Sequence, residues 1–390
     1  MAWSGRMILP FLVLFFTREA HYSVAAAGLF VSLYGAGGVA AVLAAGPLID
    51  RLGSRAVIVW SLGLCGAVSA LMALVFNTAI ILAMLPLLGA FTQVLNPAVN
   101  AFVAVAIPSG GRRQAFSVIY VARNAGFSMG PALGGLLVQH SYRLVFVGQA
   151  FAMAVAAITC AVTLPNESPA LPRGESAAVG RGGLSTTLRD VTFMLFFAFS
   201  FLVTIVYSQN LNVTLPLVMS KGGYVPGQYG LLLTINGALL VILLVPADHF
   251  LRRARITGLL VLGAGIMGCG IIAQAWATSW WLYAGCVVVW TFGELLNSPT
   301  TATAAAQLAP PHLIGRYMGI FTVAMPIASL ISPLVGGLMI QSFGTTRVIL
   351  WSGGVLFLAM IGRIATARRT EARLQTETVS AVAAVRAAEG

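Results

Sequence analysis

Charge is what this chain lacks. Of 390 residues only 8% are Asp, Glu, Lys or Arg, against 59% hydrophobic and a mean hydropathy of +0.93. So few charges cannot coat a water-soluble globule, and lipid must be the solvent for most of the surface. Lys221 is the only lysine among 22 basic residues, and ten acids leave a formal charge of +12. A nucleic-acid binder would gather that charge on one face beside aromatics. Here it falls in small clusters between apolar runs, the pattern of membrane topology. Cysteine is also scarce: Cys65, Cys160, Cys269 and Cys286 lie inside apolar runs with no CxxC or Cys/His spacing. That argues against a metal or a disulfide framework and leaves them as small core residues. No Gly-Lys-Ser/Thr phosphate loop occurs, which argues against ATP as the energy source. The four histidines and nearly all the acids fall in loops or at span ends, so no enzyme site can be assembled. We expect no catalytic residues, no metal and no cofactor.

What is present is a series of apolar runs. At roughly 20 residues per crossing, twelve candidate spans are centred in 3–17, 24–45, 56–76, 79–106, 114–138, 143–164, 191–218, 228–247, 256–276, 280–308, 315–341 and 345–366. The first is short, about 26 Å if helical throughout, and reads as a truncated span or a late start. With no small-x-small site before Thr17-Arg18-Glu19 it does not read as a signal peptide. Placing the amino terminus in the cytoplasm puts sixteen arginines inside and only Arg18, Arg143, Lys221 and Arg347 outside, with Arg6 and Arg123 within spans. The positive-inside bias therefore puts both termini in the cytoplasm. A Pro- and Gly-rich stretch without apolar period splits the chain six and six, giving bundles over 1–165 and 191–367, a linker over 166–190 and a tail over 368–390.

The halves echo each other at an offset of 202. Asn96-Pro97 recurs as Ser298-Pro299, Pro108 as Pro310, and Pro131-x-x-Gly134-Gly135 as Pro333-x-x-Gly336-Gly337. A parallel repeat of six spans is an architecture of secondary transporters.

Between spans two and three lies Gly46-x-Leu48-x-Asp50-Arg51-x-Gly53-x-Arg55. This string resembles the signature loop of the major facilitator superfamily, and with twelve spans and a central linker the resemblance covers nearly the whole chain. It departs from the usual pattern at Ser54, where a basic residue is expected. The resemblance implies an all-α polytopic membrane protein of two pseudo-symmetric six-helix bundles. It also implies a loop that latches the inner ends of the halves, with Gly46 allowing close approach of helix two and Asp50 set at the start of helix eleven near Pro311. In span five, Gly126-x-x-x-Gly130-Pro131-x-x-Gly134-Gly135 resembles the glycine-rich motif of proton antiporters in that superfamily, the drug exporters above all. Ordinary small-residue packing explains the glycines but not the whole string.

Charges inside a membrane are functional hypotheses, and here they are Arg6, Arg123 and Glu294. Arg123 precedes Gly126, Gly130 and Gly134 on one helical stripe, which in the family faces the other half. Glu294 sits at a matching depth in span ten, so an ion pair across the halves is open, either as the proton-coupling site or as a fastening. The family lines its cavity with spans one, four, seven and ten. Besides Arg6, those offer Gln93, Asn96 and Asn100, then Tyr207, Gln209 and Asn212, then Trp290 and Asn297. Taken singly each of these suits a helix-packing hydrogen bond as well as a cavity wall. The arginine of span four in many antiporters is missing: Leu85 stands there.

The expectation is a bacterial inner-membrane exporter of drug-like amphipathic small molecules, driven by the proton gradient and acting as a monomer in the bilayer. Two alternatives stand beside it: a transporter of an anionic metabolite, motivated by the excess of buried arginine over acid, and a truncated non-transporting member, motivated by the short first span.

Overall fold

Helices begin where the sequence supplies a cap. The side chains of Ser23, Asn77, Ser141, Asp190 and Ser279 accept from the backbone N–H groups of Ala26, Ala79, Arg143, Phe193 and Leu282. Each satisfies a donor left over at a helix start. The computed structural model describes residues 7–107, 109–165, 185–251, 254–310 and 313–389. Of these 92% are helical and none is in a strand, as a membrane-spanning chain without a closed barrel requires.

The elements are α1 (Leu9–Leu14, continued by a π-helical turn, Phe15–Glu19), α2 (Val24–Leu52), α3 (Ser54–Val75), α4 (Thr78–Ala106), α5 (Ser109–His140) and α6 (Tyr142–Thr163). They continue as α7 (Val191–Lys221), α8 (Pro226–Leu251), α9 (Ile256–Ala273), α10 (Trp280–Leu308), α11 (Ile314–Phe343) and α12 (Thr345–Glu389). Each overlaps one expected span. Among the described residues nine are long and apolar enough to cross a membrane. The others are α1, which is short, α5, which carries Arg112, Arg113 and Arg123, and α10, whose second half holds Asn297, Ser298, Thr300, Thr301 and Thr303.

Prolines shape two of the helices. Pro97 cannot donate to Gln93, and α4 breaks into a turn at Val94. Pro216 cannot donate to Asn212, and the α7 ladder widens to a π-helical stretch over Asn210–Thr214.

The expected repeat is realised in packing. The two principal seams between the halves are α2 against α11 and α5 against α8. A Cβ on Gly28 would collide with the carbonyl of Pro333, and one on Gly230, 202 residues on, with the carbonyl of Pro131. Gly35 abuts the Leu330 backbone, and its counterpart Gly237 abuts the backbone of Ser128, the counterpart of Leu330. The offset read from three proline anchors therefore also pairs the glycines that close the seams.

The seams are closed along only part of their length. α2 meets α11 from Ala25, whose N–H donates to Gln341 Oε1, to Gly35. Nearer the arginine-rich end, Leu43 is 67% exposed, and a Cβ on Gly46, Gly315 or Gly319 would touch nothing within 4 Å. The α5–α8 seam behaves alike, buried from Gly126 to Gly135 apart from half-buried or exposed positions on its other faces, with Val118 and Ile242 exposed below. The halves are thus closed at the far end and parted at the arginine-rich end. α1 helps to close the far end: Pro10 to Leu14 are buried, Phe11 packs edge-on against Tyr229 of α8, and Arg18 donates to the Ser220 carbonyl at the end of α7 (2.6 Å).

Two expectations need correction, that of a loop around Asp50 and that of four core cysteines. The ten-residue loop around Asp50 is mostly helix: α2 runs to Leu52, α3 starts at Ser54, and the turn is Gly53 alone, at φ 81, a conformation glycine adopts without strain. The tail is a direct continuation of α12. It is fastened where Arg373 pairs with Asp190 (3.1 Å), which also accepts from the Tyr317 hydroxyl (2.7 Å). Of the cysteines, Cys269 is exposed while the other three are buried, all unbridged. Arg6, Pro311 and linker residues 166–184 lie outside the described residues.

Candidate functional site

Glu294 lies midway along α10 and is 8% exposed. Its Oε2 accepts from Nδ2 of Asn236 on α8 (2.9 Å), and the same amide donates to the Thr291 hydroxyl one turn away (2.9 Å). Thr291 passes its own proton to the Val287 carbonyl (2.6 Å), so its lone pairs are left for Asn236. A carboxylate buried among apolar helices needs such donors, because desolvation penalises the charge. Asn236 is fully buried, and its Oδ1 has no hydrogen-bond partner among the described residues. It is the site residue that sequence reasoning missed. The available signal was an amide in the middle of an otherwise apolar span, directly before a glycine of the repeat.

Arg123 is exposed on the stretch of α5 below the closed seam. The glycine stripe above it does not face the other half throughout. Gly134 meets Met7, just before α1, and Phe11 of α1, within the same half, whereas Gly135 and Pro131 meet Gly227 and Gly230 of α8. The motif therefore serves two interfaces at once. Its first turns, Gly126 and Gly130, are buried.

The expected cavity residues divide. Asn96 and Asn100, one turn apart on α4, are exposed, and Gln93 and Tyr207 are half-buried. Gln209, Asn212, Trp290 and Asn297 are buried in helix seams, so in this conformation they are packing groups. Trp290 is fully buried beside Tyr207 (ring centroids 5.7 Å) and against Gly270, Gln209 lies on Gly336, and Asn212 donates to the Ser208 carbonyl (2.9 Å). Asn297 accepts from Arg363 through Oδ1 (2.7 Å). Arg363 itself, counted from sequence among the cytoplasmic arginines, is 5% exposed and embedded between α7, α9, α10 and α12, with further bonds to the Leu260 carbonyl (2.7 Å) and Ser200 (3.3 Å).

The signature segment is a set of separate devices. Asp50 and Arg51 are exposed, with no hydrogen bond or ion pair among the described residues, and the close approach expected at Gly46 is not made in this conformation. Arg55 turns to its own half and caps α6, donating to the carbonyls of Leu164 (2.9 Å) and Ala161 (2.6 Å). At the other end of the same antiparallel pair Arg143 caps α3 through Ala73 (2.6 Å) and Leu74 (3.2 Å). A guanidinium on C-terminal carbonyls satisfies orphan acceptors and opposes the helix dipole.

Two pseudo-symmetric halves, seams closed at one end and parted at the other, and a buried carboxyl at mid-depth define a polytopic membrane transporter. The sequence profile of the Major Facilitator Superfamily matches residues 1–321 and, overlapping, 208–387, and the chain belongs to that family. It is 29% identical over 371 residues to the uncharacterized MFS-type transporter YhjO of Bacillus subtilis (strain 168), covering 93% of this chain and 88% of that one. It is 24% identical over 301 residues to the multidrug resistance protein MdtH of Escherichia coli O9:H4 (strain HS), covering 75% and 72%. The fold is shared with a POT family transporter crystallised with 5-aminolevulinic acid, at a TM-score of 0.80 and 15% identity, with 95% and 94% of the two chains covered. Members of the family are transporters and not enzymes.

Proposed function

We propose that this protein exports drug-like amphipathic small molecules in exchange for protons, by alternating access, from the inner membrane of a bacterium. The moving units are residues 1–165 and 191–367, joined by the linker 166–190. The arginine-rich end, with both termini, faces the cytoplasm by the positive-inside rule, so the conformation described above is the one open inwards. Glu294 carries the proton, with Arg123 as its cationic partner during the cycle, and Asp50 closes the inner latch when the halves rock together. The parted seam beside exposed Asn96, Asn100 and Arg123 suits an amphipathic cargo, and a relative named as a multidrug resistance protein lends the cargo class its weight.

The observation that carries the reading is Glu294, a carboxyl buried at mid-membrane on a seam-bearing helix pair. Among the described residues the seven other acids lie at helix ends, in loops or in the tail. Reconstituted protein given an imposed pH gradient should accumulate cationic amphipathic dyes against their gradient. Gradient-driven movement of organic anions alone would overturn the cargo assignment and favour the anionic-metabolite reading, for which the exposed guanidinium of Arg123 speaks.

A further inference from the structure

Glu294 and Asn236 have counterparts 202 residues earlier, Thr92 on α4 and Tyr34 on α2, and these two also touch. The Tyr34 and Thr92 hydroxyls are 2.8 Å apart. In both halves, therefore, the residue just before a seam glycine is hydrogen-bonded to the same position of the neighbouring cavity helix. Tyr34 precedes Gly35, which abuts α11 at Leu330, and Asn236 precedes Gly237, which abuts α5 at Ser128. Ser128 also donates to the carbonyl of Thr234, two residues before Asn236 (3.1 Å). The two halves differ in one respect: at the α4 position stands a hydroxyl, at the α10 position a titratable carboxyl.

We propose that Asn236 is a positioning residue that passes the charge state of Glu294 to the α5–α8 seam. The proposal rests on the reading of Glu294 as the proton carrier. An ionised Glu294 accepts a charge-assisted bond from Asn236, roughly twice as strong as one between neutral groups, and holds α8 on α10 at the level where Gly237 and Thr234 meet α5. When a proton arrives on the carboxyl, that bond becomes one between neutral groups, and the new O–H requires an acceptor. Asn236 Oδ1 is fully buried and has no partner among the described residues. Turning the amide over presents Oδ1 to the carboxyl and lets Thr291 donate to it in place of Val287. Either response weakens the hold on α8 next to the seam. The N-terminal half makes the same contact between two hydroxyls, with no carboxyl, so the pH response belongs to the α5–α8 seam.

Charged groups near this level on the packed elements are few. Arg363 of α12 is held one turn away by Asn297, and Arg123 stands on α5, which packs against α8. The spans of α7, α9 and α11 bring no charged side chain to the level of Glu294, although α7 brings the Tyr207 phenol. Neither arginine loses charge in the working range, which leaves Glu294 as the group that changes.

The test measures the seam itself. Spin labels at Val118→Cys and Ile242→Cys, both exposed on the two sides of the seam, are introduced into full-length protein with its four native cysteines replaced, in nanodiscs. The distance distribution is followed by electron–electron double resonance over a pH series. The unaltered site should give a pH-dependent distribution, Glu294→Gln should abolish the dependence, and Asn236→Leu should lower its amplitude by about half or more, the weakening expected of the bond. Asn236→Ala carries the same expectation if the leucine variant does not fold. Tyr34→Phe, which removes the counterpart bond, should leave the pH response intact. If Glu294→Gln keeps the response, the proton-carrier reading fails and the relay with it. If Glu294→Gln abolishes the response while the Asn236 variants keep full amplitude, the relay alone is overturned. Equal loss in Tyr34→Phe would also overturn it, since generic loosening would then explain the effect.

Discussion

Asn297 and Arg363 show how one buried charge is accommodated without an acid beside it. Arg363 spends its hydrogen bonds on Asn297, Ser200 and the Leu260 carbonyl, and its Nε is left without a partner among the described residues. Removing an acceptor from a buried guanidinium costs about 1–3 kcal/mol, whereas replacing the whole polar pair with apolar groups of similar shape is often neutral or stabilising. Asn297→Leu should therefore lower the thermal stability of detergent-purified protein by that amount, and Asn297→Leu combined with Arg363→Met should recover most of it. A double variant no more stable than the single one would mean that Arg363 is held by other contacts. Neither role was legible in the sequence. Arg363 lies near the end of an apolar run that passes without a break into a helical tail, so composition alone could not tell a buried arginine from a topological one. Asn297 reads equally well as cavity wall or helix glue, and only the rotation of α10 decides between them. Asn236 was missed for the same reason: its partner depends on the register of α8 against α10.

At the scale of elements the sequence was more informative, because close helix approach demands particular residues. Pro131, Gly135, Pro333 and Gly337 sit at the seams, and the 202-residue offset among them anticipated which helices of the two halves correspond. What the pattern could not supply was which side of a glycine-rich helix meets which neighbour, and Gly134 proved to face α1. The seams also make opposite predictions for glycines on one helix. Gly35→Ala places a methyl against the Leu330 backbone, which cannot yield as a side-chain tip can. It should force the far end apart and drive the equilibrium towards closure at the arginine-rich end, read as a shorter distance between labels at Leu43 and Ile314. Gly46→Ala meets open space in the present conformation and should leave that closure-sensitive distance at its wild-type value or longer, with helix propensity improved by about 0.5–1 kcal/mol. Shortening in both variants would show that propensity, and not the seam, moves the equilibrium.

For the whole molecule, two related halves packed along two main seams leave few ways to move. With the far end closed by α1, by Gly28 and Gly35 of α2 and by their counterparts Gly230 and Gly237, the alternative conformation must open there and close at the arginine-rich end. Asp50 is exposed and without a partner among the described residues, and in the proposed cycle it engages the start of α11 when that end closes. What biases one arrangement over the other has to differ in free energy between them, and in the function proposed above a proton on the buried Glu294 supplies that difference. The central claim is tested most directly by substrate-driven proton flux in proteoliposomes containing either the unmodified protein or Glu294→Gln. The account predicts that adding substrate moves protons through the unmodified protein and that Glu294→Gln abolishes this flux while still binding substrate. Proton flux of equal size in Glu294→Gln would contradict it.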